Sequence, residues 1–444
     1  MKKLFVTLAV MSSVSLCANA QNTKVASSVE KEIKADINRA AGMFYARYTA
    51  KTPKDTPAPK GKKPFYINHY GCPGPFYLDK VEYYTETYAI LAKADTLGKL
   101  TPLGKDVLRR VNMLRLDAYN RDGELTVRGA QQSRTLVKQM VERFPDMFTP
   151  QGYYSVRSIV ENRSIMTMQE GLLQLSSMQQ PIVARSKASL QENKFMDPVD
   201  KELTDQRLDS LTSISYERFT ALNSNDTRLM VSLFNDQNYV LHNIDAGKLA
   251  KRLFLLAGNV QHSEIADKVT LFDIFTPEEI HLHWRKQNAW HYINYGGCKL
   301  NGGYQAYLQR STLRNMIHMG DSVLKRYNPL MHLRYTTSQV IMSLACLMDI
   351  NGYGLHTANL DSLEDYGWAN YRISPLGGSI MMIHYRTDRN DPDVLVKVLL
   401  NGEEARLPIQ TDCAPYYHWQ DVKRYYLRKM YRYENRRHNF NKKK

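Results

Sequence analysis

The sequence predicts an α/β protein whose strand-and-helix core is interrupted by a helical insertion. Two observations carry this. Apolar runs at residues 65–70, 331–335, 379–385 and 394–400 have the length and β-branched or aromatic content of buried strands. Between the first two lies a stretch, residues 181–325, that is charged, polar and helical in pattern. Core segments therefore flank an insertion, the first at 64–180 and the second at 326–422.

Taken in order, residues 1–20 carry Lys2, Lys3, an apolar run from Leu4 to Val10 and Ala18-Asn19-Ala20. This is the pattern of a signal peptide cleaved after Ala20, so a periplasmic or secreted product is expected. Residues 21–63 form a leader ending in a Pro/Lys-rich linker, where Pro53, Pro57 and Pro59 exclude a regular helix. The first strand precedes helices at 82–98, 103–119 and 127–143. Leu103, Val107, Leu108, Val111, Leu114 and Leu116 give much of the second of these an apolar stripe. In the insertion, Thr276 and Glu279 have the spacing of a capping box. A helix at 338–348 follows the returning strand. Asn401-Gly402 predicts a tight hairpin from the 394–400 strand to residues 405–409.

Composition narrows the class. The chain has 444 residues and a formal charge of +16, lowered by two when Lys2 and Lys3 leave. Part of the excess sits in residues 423–444, where basic residues alternate with Tyr425, Tyr426, Tyr431 and Tyr433. This suits a basic helix with a frayed tail, or a grip on anionic polymers. No nucleic-acid recognition motif is present, and no apolar run after residue 20 reaches the roughly 18 residues needed to span a bilayer. Cys72, Cys298, Cys346 and Cys413 remain after processing, and an oxidising compartment would allow three pairings. No Cys-x-x-Cys or His-rich metal spacing occurs. His281 and His283 read as a solvated helix end, so neither a metal nor a cofactor is expected.

Several ordered motifs carry a resemblance. They are the stretches from Leu125 to Phe148 and from Ser158 to Met168, Phe275-Thr-Pro-Glu-Glu-Ile280, Trp284-Arg-Lys-Gln-Asn288, Asn351-Gly-Tyr-Gly354, Arg372-Ile-Ser-Pro375 and Pro415-Tyr-Tyr-His-Trp419. Together, from about Pro64 to Trp419, they resemble the histidine acid phosphatases, in the branch of multiple inositol polyphosphate phosphatases and phytases. The resemblance implies a phosphoglycerate-mutase-like sandwich core, with residues 181–325 as a helical cap over the mouth of the site. It also implies an Arg-His-Gly-x-Arg loop after the first strand, in which the His attacks phosphorus and both Arg hold phosphate.

Here that loop reads Gly71-Cys-Pro-Gly-Pro-Phe76. Cys72 stands at the first Arg, Pro73 at the nucleophile and Phe76 at the second Arg. Pro73 has no nucleophilic atom. The later His-Asp element aligns with Thr336 and Thr337, and a threonine hydroxyl is too weak an acid to protonate a leaving group. Arg163 alone matches a phosphate contact. The expectation is a pseudophosphatase with no catalytic residues, retained to bind a phosphorylated or other anionic small molecule, a sugar or a protein partner. The alternative is an active phosphomonoesterase of the inositol polyphosphate or phytate type, with Cys72 or His69 as substitute nucleophile.

Overall fold

The computed structural model describes residues 29–47, 53–150, 152–178, 183–326 and 330–441. The expected signal peptide, residues 1–20, lies outside them. Within them the chain builds one eight-stranded mixed sheet with helices on both faces, as expected for an α/β core.

The strands are β1 (Lys63–Gly71), β2 (Tyr153–Ser158), β3 (Ala184–Ala188), β4 (Leu330–Tyr335), β5 (Ser379–Arg386), β6 (Leu395–Leu400), β7 (Glu403–Ala405) and β8 (Tyr416–His418). Their order is β3-β2-β4-β1-β5-β6-β7, with β8 also on β6. The first four positions are mutually parallel, and β5 turns antiparallel on β1, with His69 opposite Met381. The alternation of a strand sends neighbouring side chains to opposite faces. Tyr70, Ile380, Met382, Val396 and Val398 therefore pack with the helix Ser338–Met348. Ile67, Leu333, Met381 and Ile383 pack with Val137, Met140 and Val141 of the helix Val127–Arg143.

The local signals hold where they are strongest. Helices occupy Glu82–Thr96, Pro102–Asp117 and Val127–Arg143, and Thr276 with Glu279 makes a reciprocal capping box. Three strands have no apolar pattern strong enough to be read in advance. β3 is exposed and carries Arg185 and Lys187 at the sheet edge, where charge discourages pairing with another chain. It lies inside the stretch expected to be helical. β2 and the three-residue β8 were also unanticipated.

The hairpin needs a correction. Asn401 and Gly402 both have positive φ, and Leu400 pairs with Glu403, so the second arm is Glu403–Ala405 rather than residues 405–409. A two-residue turn brings the very next residue into register. His283 also departs from its reading: it is buried, stacked on Phe254 at 4.8 Å and 3.4 Å from Asp226. Its helix, Pro277–Tyr295, is packed along its length rather than ending in solvent there. Cys72, Cys298, Cys346 and Cys413 are free thiols.

Two terminal stretches fasten onto this core. Ala40, Ala41 and Met43 are buried, Ala46 bridges Leu376, and the Leu376 amide donates to the Tyr45 carbonyl. Further on, Asp55 accepts from Arg143 at 2.6 Å and Lys397 at 2.5 Å. At the other end, the helix Trp419–Asn441 buries Val422, Tyr426, Met430 and Tyr433 at helical spacing. Its Arg437 reaches Asp200 and Glu202. No helix among the described residues is long and apolar enough to cross a membrane.

Candidate functional site

In an open sheet with parallel strands, ligands are met at the carboxyl ends of those strands. Here β1 and β4 end side by side, with Gly71 opposite Tyr335, and the chain leaves β1 through the 72–76 loop. Backbone bonds pin that loop. The Cys72 amide donates to Gly378, Gly377 donates to Pro73 at 2.7 Å, and Thr126 donates to Pro75. A Cβ on Gly74 would lie 2.7 Å from the Gly129 carbonyl, so only glycine permits this close approach to the helix Val127–Arg143.

Beside the loop is a cavity of about 50 Å³ lined by Pro73, Phe76, Arg163, Thr337, Asp79 and Phe44, among others. Four of the six positions singled out from the sequence thus converge: Pro73, Phe76, Arg163 and Thr337. The other two do not. Cys72 is buried, with its Sγ 3.3 Å from the Pro375 carbonyl, and burial pushes its thiol up to about 11. It lines a separate cavity of about 80 Å³ with His69, Tyr335 and Ser133. Thr336 is also fully buried, its hydroxyl donating to the Met196 carbonyl. That carbonyl belongs to the helical turn Asn193–Met196, whose Phe195 carbonyl also accepts from Tyr70 at 3.3 Å. The insertion therefore touches the ends of both β1 and β4.

Arg163 is already engaged. Its Nη2 lies 2.5 Å from Glu161 Oε1, and its guanidinium sits 4.3 Å over the Phe76 ring. The residue that replaces one expected cation has become the stacking surface for the other. Asp79 adds a second carboxylate. Asp197, raised above the usual carboxylate range by burial and then by Glu161, adds a third nearby. One guanidinium among these acids gives no excess of positive charge to receive a phosphate.

The two candidate substitute nucleophiles face elsewhere. His69 lies on the β1 face shared with Ile67, toward Val137 and Met140, and burial pushes its imidazole down to about 4. Its ring centroid is 5.9 Å from that of Tyr335. No histidine or cysteine is among the residues lining the Arg163 cavity. Sequence reasoning missed Asp79, Met43 and Phe44. The last two come from the leader, and nothing in their local sequence indicates that the leader folds back here.

Arg163→Ala should lower unfolding free energy by about 1–2 kcal/mol, the worth of a partly buried cation–π contact with an ion pair. Urea titration measures this. An unchanged midpoint would mean that the stack contributes nothing.

The fold is that of the histidine acid phosphatases. Similar solved structures include the multiple inositol polyphosphate phosphatase of Bifidobacterium longum in complex with inositol hexasulfate, at TM-score 0.72 and 12% identity over 87% of this chain and 97% of that one. The phytase from D. castellii follows at TM-score 0.63 and 11% identity, over 88% and 85% of the two chains. The Hafnia alvei phytase in complex with myo-inositol hexakis sulphate gives TM-score 0.50 and 12% identity, over 84% and 98%. No family model matches the chain, and no curated protein does.

Proposed function

We propose that this protein is an exported pseudophosphatase: a histidine-acid-phosphatase fold without phosphoryl transfer, retained to bind a ligand or a partner. The observation that carries the reading is the lining of the Arg163 cavity. Pro73 and Thr337 occupy the places that the resemblance gives to nucleophile and acid, and Phe76 takes a phosphate-binding place. Pro73 offers no lone pair for attack. Thr337 is committed as a helix cap, its Oγ1 accepting from the Val340 amide at 3.3 Å.

Binding suffers as much as chemistry. A charge-assisted hydrogen bond to phosphate is worth about 1.5–3 kcal/mol, and its absence weakens binding accordingly. Cys72, Phe76 and Thr336 are three positions where no such bond can form as in the family, and Glu161 competes for the remaining guanidinium. A cavity of about 50 Å³ also leaves room for only a few waters. The Bifidobacterium longum phosphatase is complexed with inositol hexasulfate, but the pocket here favours a smaller or uncharged ligand, or a partner on the outer surface. Export rests on the pattern of residues 1–20. The alternative, phosphomonoester hydrolysis on inositol phosphates, needs a nucleophile beside Arg163, and His69 and Cys72 open to the other cavity.

The test is release of inorganic phosphate from phytate and from an aryl phosphate by the purified protein, from pH 3 to pH 8, with Arg163→Ala alongside. Release at the buffer rate from both is expected, because losing one catalytic residue already removes on the order of 10⁴–10⁶ in rate. Turnover that Arg163→Ala abolishes would overturn the pseudophosphatase reading.

A further inference from the structure

Far from that cavity, at the sheet end where β6 begins, three metal-ligating side chains of different chemistry meet. The Asp412 carboxylate, Cys413 Sγ and a ring nitrogen of His418 all lie within 4.8 Å of one another. His418 Nε2 is 3.0 Å from Asp412 Oδ1. Its other nitrogen, Nδ1, is 2.5 Å from Asp393 Oδ1. A histidine ligating metal through one nitrogen characteristically gives its other N–H to a carboxylate, which fixes the ring and its tautomer. Asp393 is placed to do that.

We propose that Asp412, Cys413 and His418 bind a zinc-class divalent cation, with Asp393 as the positioning residue for His418 and water completing the coordination. The donor set argues for this class. A thiolate with an imidazole suits borderline-soft Zn²⁺, whereas calcium and magnesium take oxygen donors almost exclusively. Tetrahedral zinc at about 2.0–2.3 Å from each donor holds those donors roughly 3.4–3.8 Å apart, so the cluster needs only modest adjustment.

The frame is built rather than chance surface. The Tyr416 amide donates to the Cys413 carbonyl at 2.8 Å, closing the turn that carries Asp412 and Cys413, while Thr411 Oγ1 donates to the Tyr416 carbonyl. His418 pairs in register with Leu395, and the Trp419 amide donates to Val394. Asp393 is itself held, through its amide on Asp391 and through Lys62 Nζ at 3.5 Å from its carboxylate. A bound ion would tie Asp412 and Cys413 to His418 across the 411–418 turn, and the His418–Asp393 hydrogen bond carries that link to the 388–394 turn at the start of β6. The sequence did not show this because Asp-Cys-x-x-x-x-His is no familiar spacing and Asp393 lies outside it.

Titrating the metal-free full chain with Co²⁺, then displacing it with Zn²⁺, tests the proposal. The expected result is one equivalent of Co²⁺ with a near-ultraviolet sulfur-to-cobalt charge-transfer band, bleached by Zn²⁺. Cys413→Ser should abolish the band while far-UV circular dichroism stays unchanged. Asp393→Asn should weaken Co²⁺ binding about 10–100-fold without removing any ligand. Cys72, Cys298 and Cys346 are buried and serve as internal controls. No band at millimolar Co²⁺, or a band that survives Cys413→Ser, would overturn the proposal. Weak Co²⁺ binding without sulfur character would overturn it too, and would mean an adventitious ion only.

Discussion

Between pH 7 and pH 5 the folded protein is expected to lose on the order of 10 kcal/mol of stability, most of what a domain has. The main cause is five histidines held neutral inside it, and burial lowers His283 and His356 in the same direction. Burial pushes His69, His262 and His291 down to about 4. His384 goes to about 3 by burial, and His332 to about 3 by burial and then by Arg334, Arg157 and Arg326. In the unfolded chain each titrates near 6.5. Unfolding in this window therefore takes up protons, and stability falls as pH falls from about 6.5 toward the folded values. Each histidine accounts for roughly 2 kcal/mol between pH 7 and pH 5.

His418 runs the other way. Hydrogen bonds to Asp393 and Asp412 raise it, so its contribution is complete below the unfolded value and fades above the folded one. One half-buried group cannot offset five. Urea midpoints at pH 5 and pH 7 measure the difference. His384→Leu should take about one proton off the uptake, since both ring nitrogens of His384, beneath Trp419, lack a hydrogen-bond partner among the described residues. Equal midpoints at the two pH values would sink the argument. The same titration also guards the phosphate-release assay, because a silent result counts only where the chain is folded.

The second large effect is expected at Lys397. Its side chain is 1% exposed, lies 5.1 Å over the Tyr416 ring and contacts Asp55 at 2.5 Å and Glu404 at 3.0 Å. Removing one partner of a buried pair leaves charge uncompensated, which typically costs about 3–5 kcal/mol. Lys397→Ala should lie in that range by urea titration. It should also speed proteolysis within residues 53–62, since among the described residues Asp55 then keeps only Arg143. A destabilisation below about 1 kcal/mol with unchanged proteolysis would show that Arg143 holds Asp55 unaided. The interaction matters for the site because the leader that Asp55 anchors also places Phe44 at the Arg163 cavity.

The sequence was legible where the determining interactions are close along the chain. The helix Ser338–Met348, the capping box at Thr276 and the turn at Asn401-Gly402 each depend on neighbours within a few residues. β3 was illegible for the opposite reason: Ala-Arg-Ser-Lys-Ala is mostly exposed and has no large apolar residue, and it is a strand because β2 lies beside it. The arm after Gly402 went astray by two residues because register is set by pairing with Leu400, not by where apolar residues resume.

At the site, residue identity alone settles which chemistry is closed to these positions. A proline at residue 73 has no atom with which to attack phosphorus, and threonine hydroxyls at 336 and 337 are too weak as acids to protonate a leaving group, in whatever arrangement the chain holds them. Everything else waited on the folded arrangement. It sent Cys72 and His69 to one cavity and Arg163 to another, laid Arg163 on Phe76 and Glu161, and sealed Thr336 against Met196. The physical reason is that reactivity belongs to single side chains, whereas charge balance, burial and access arise from groups far apart in sequence that the fold brings within a few ångströms.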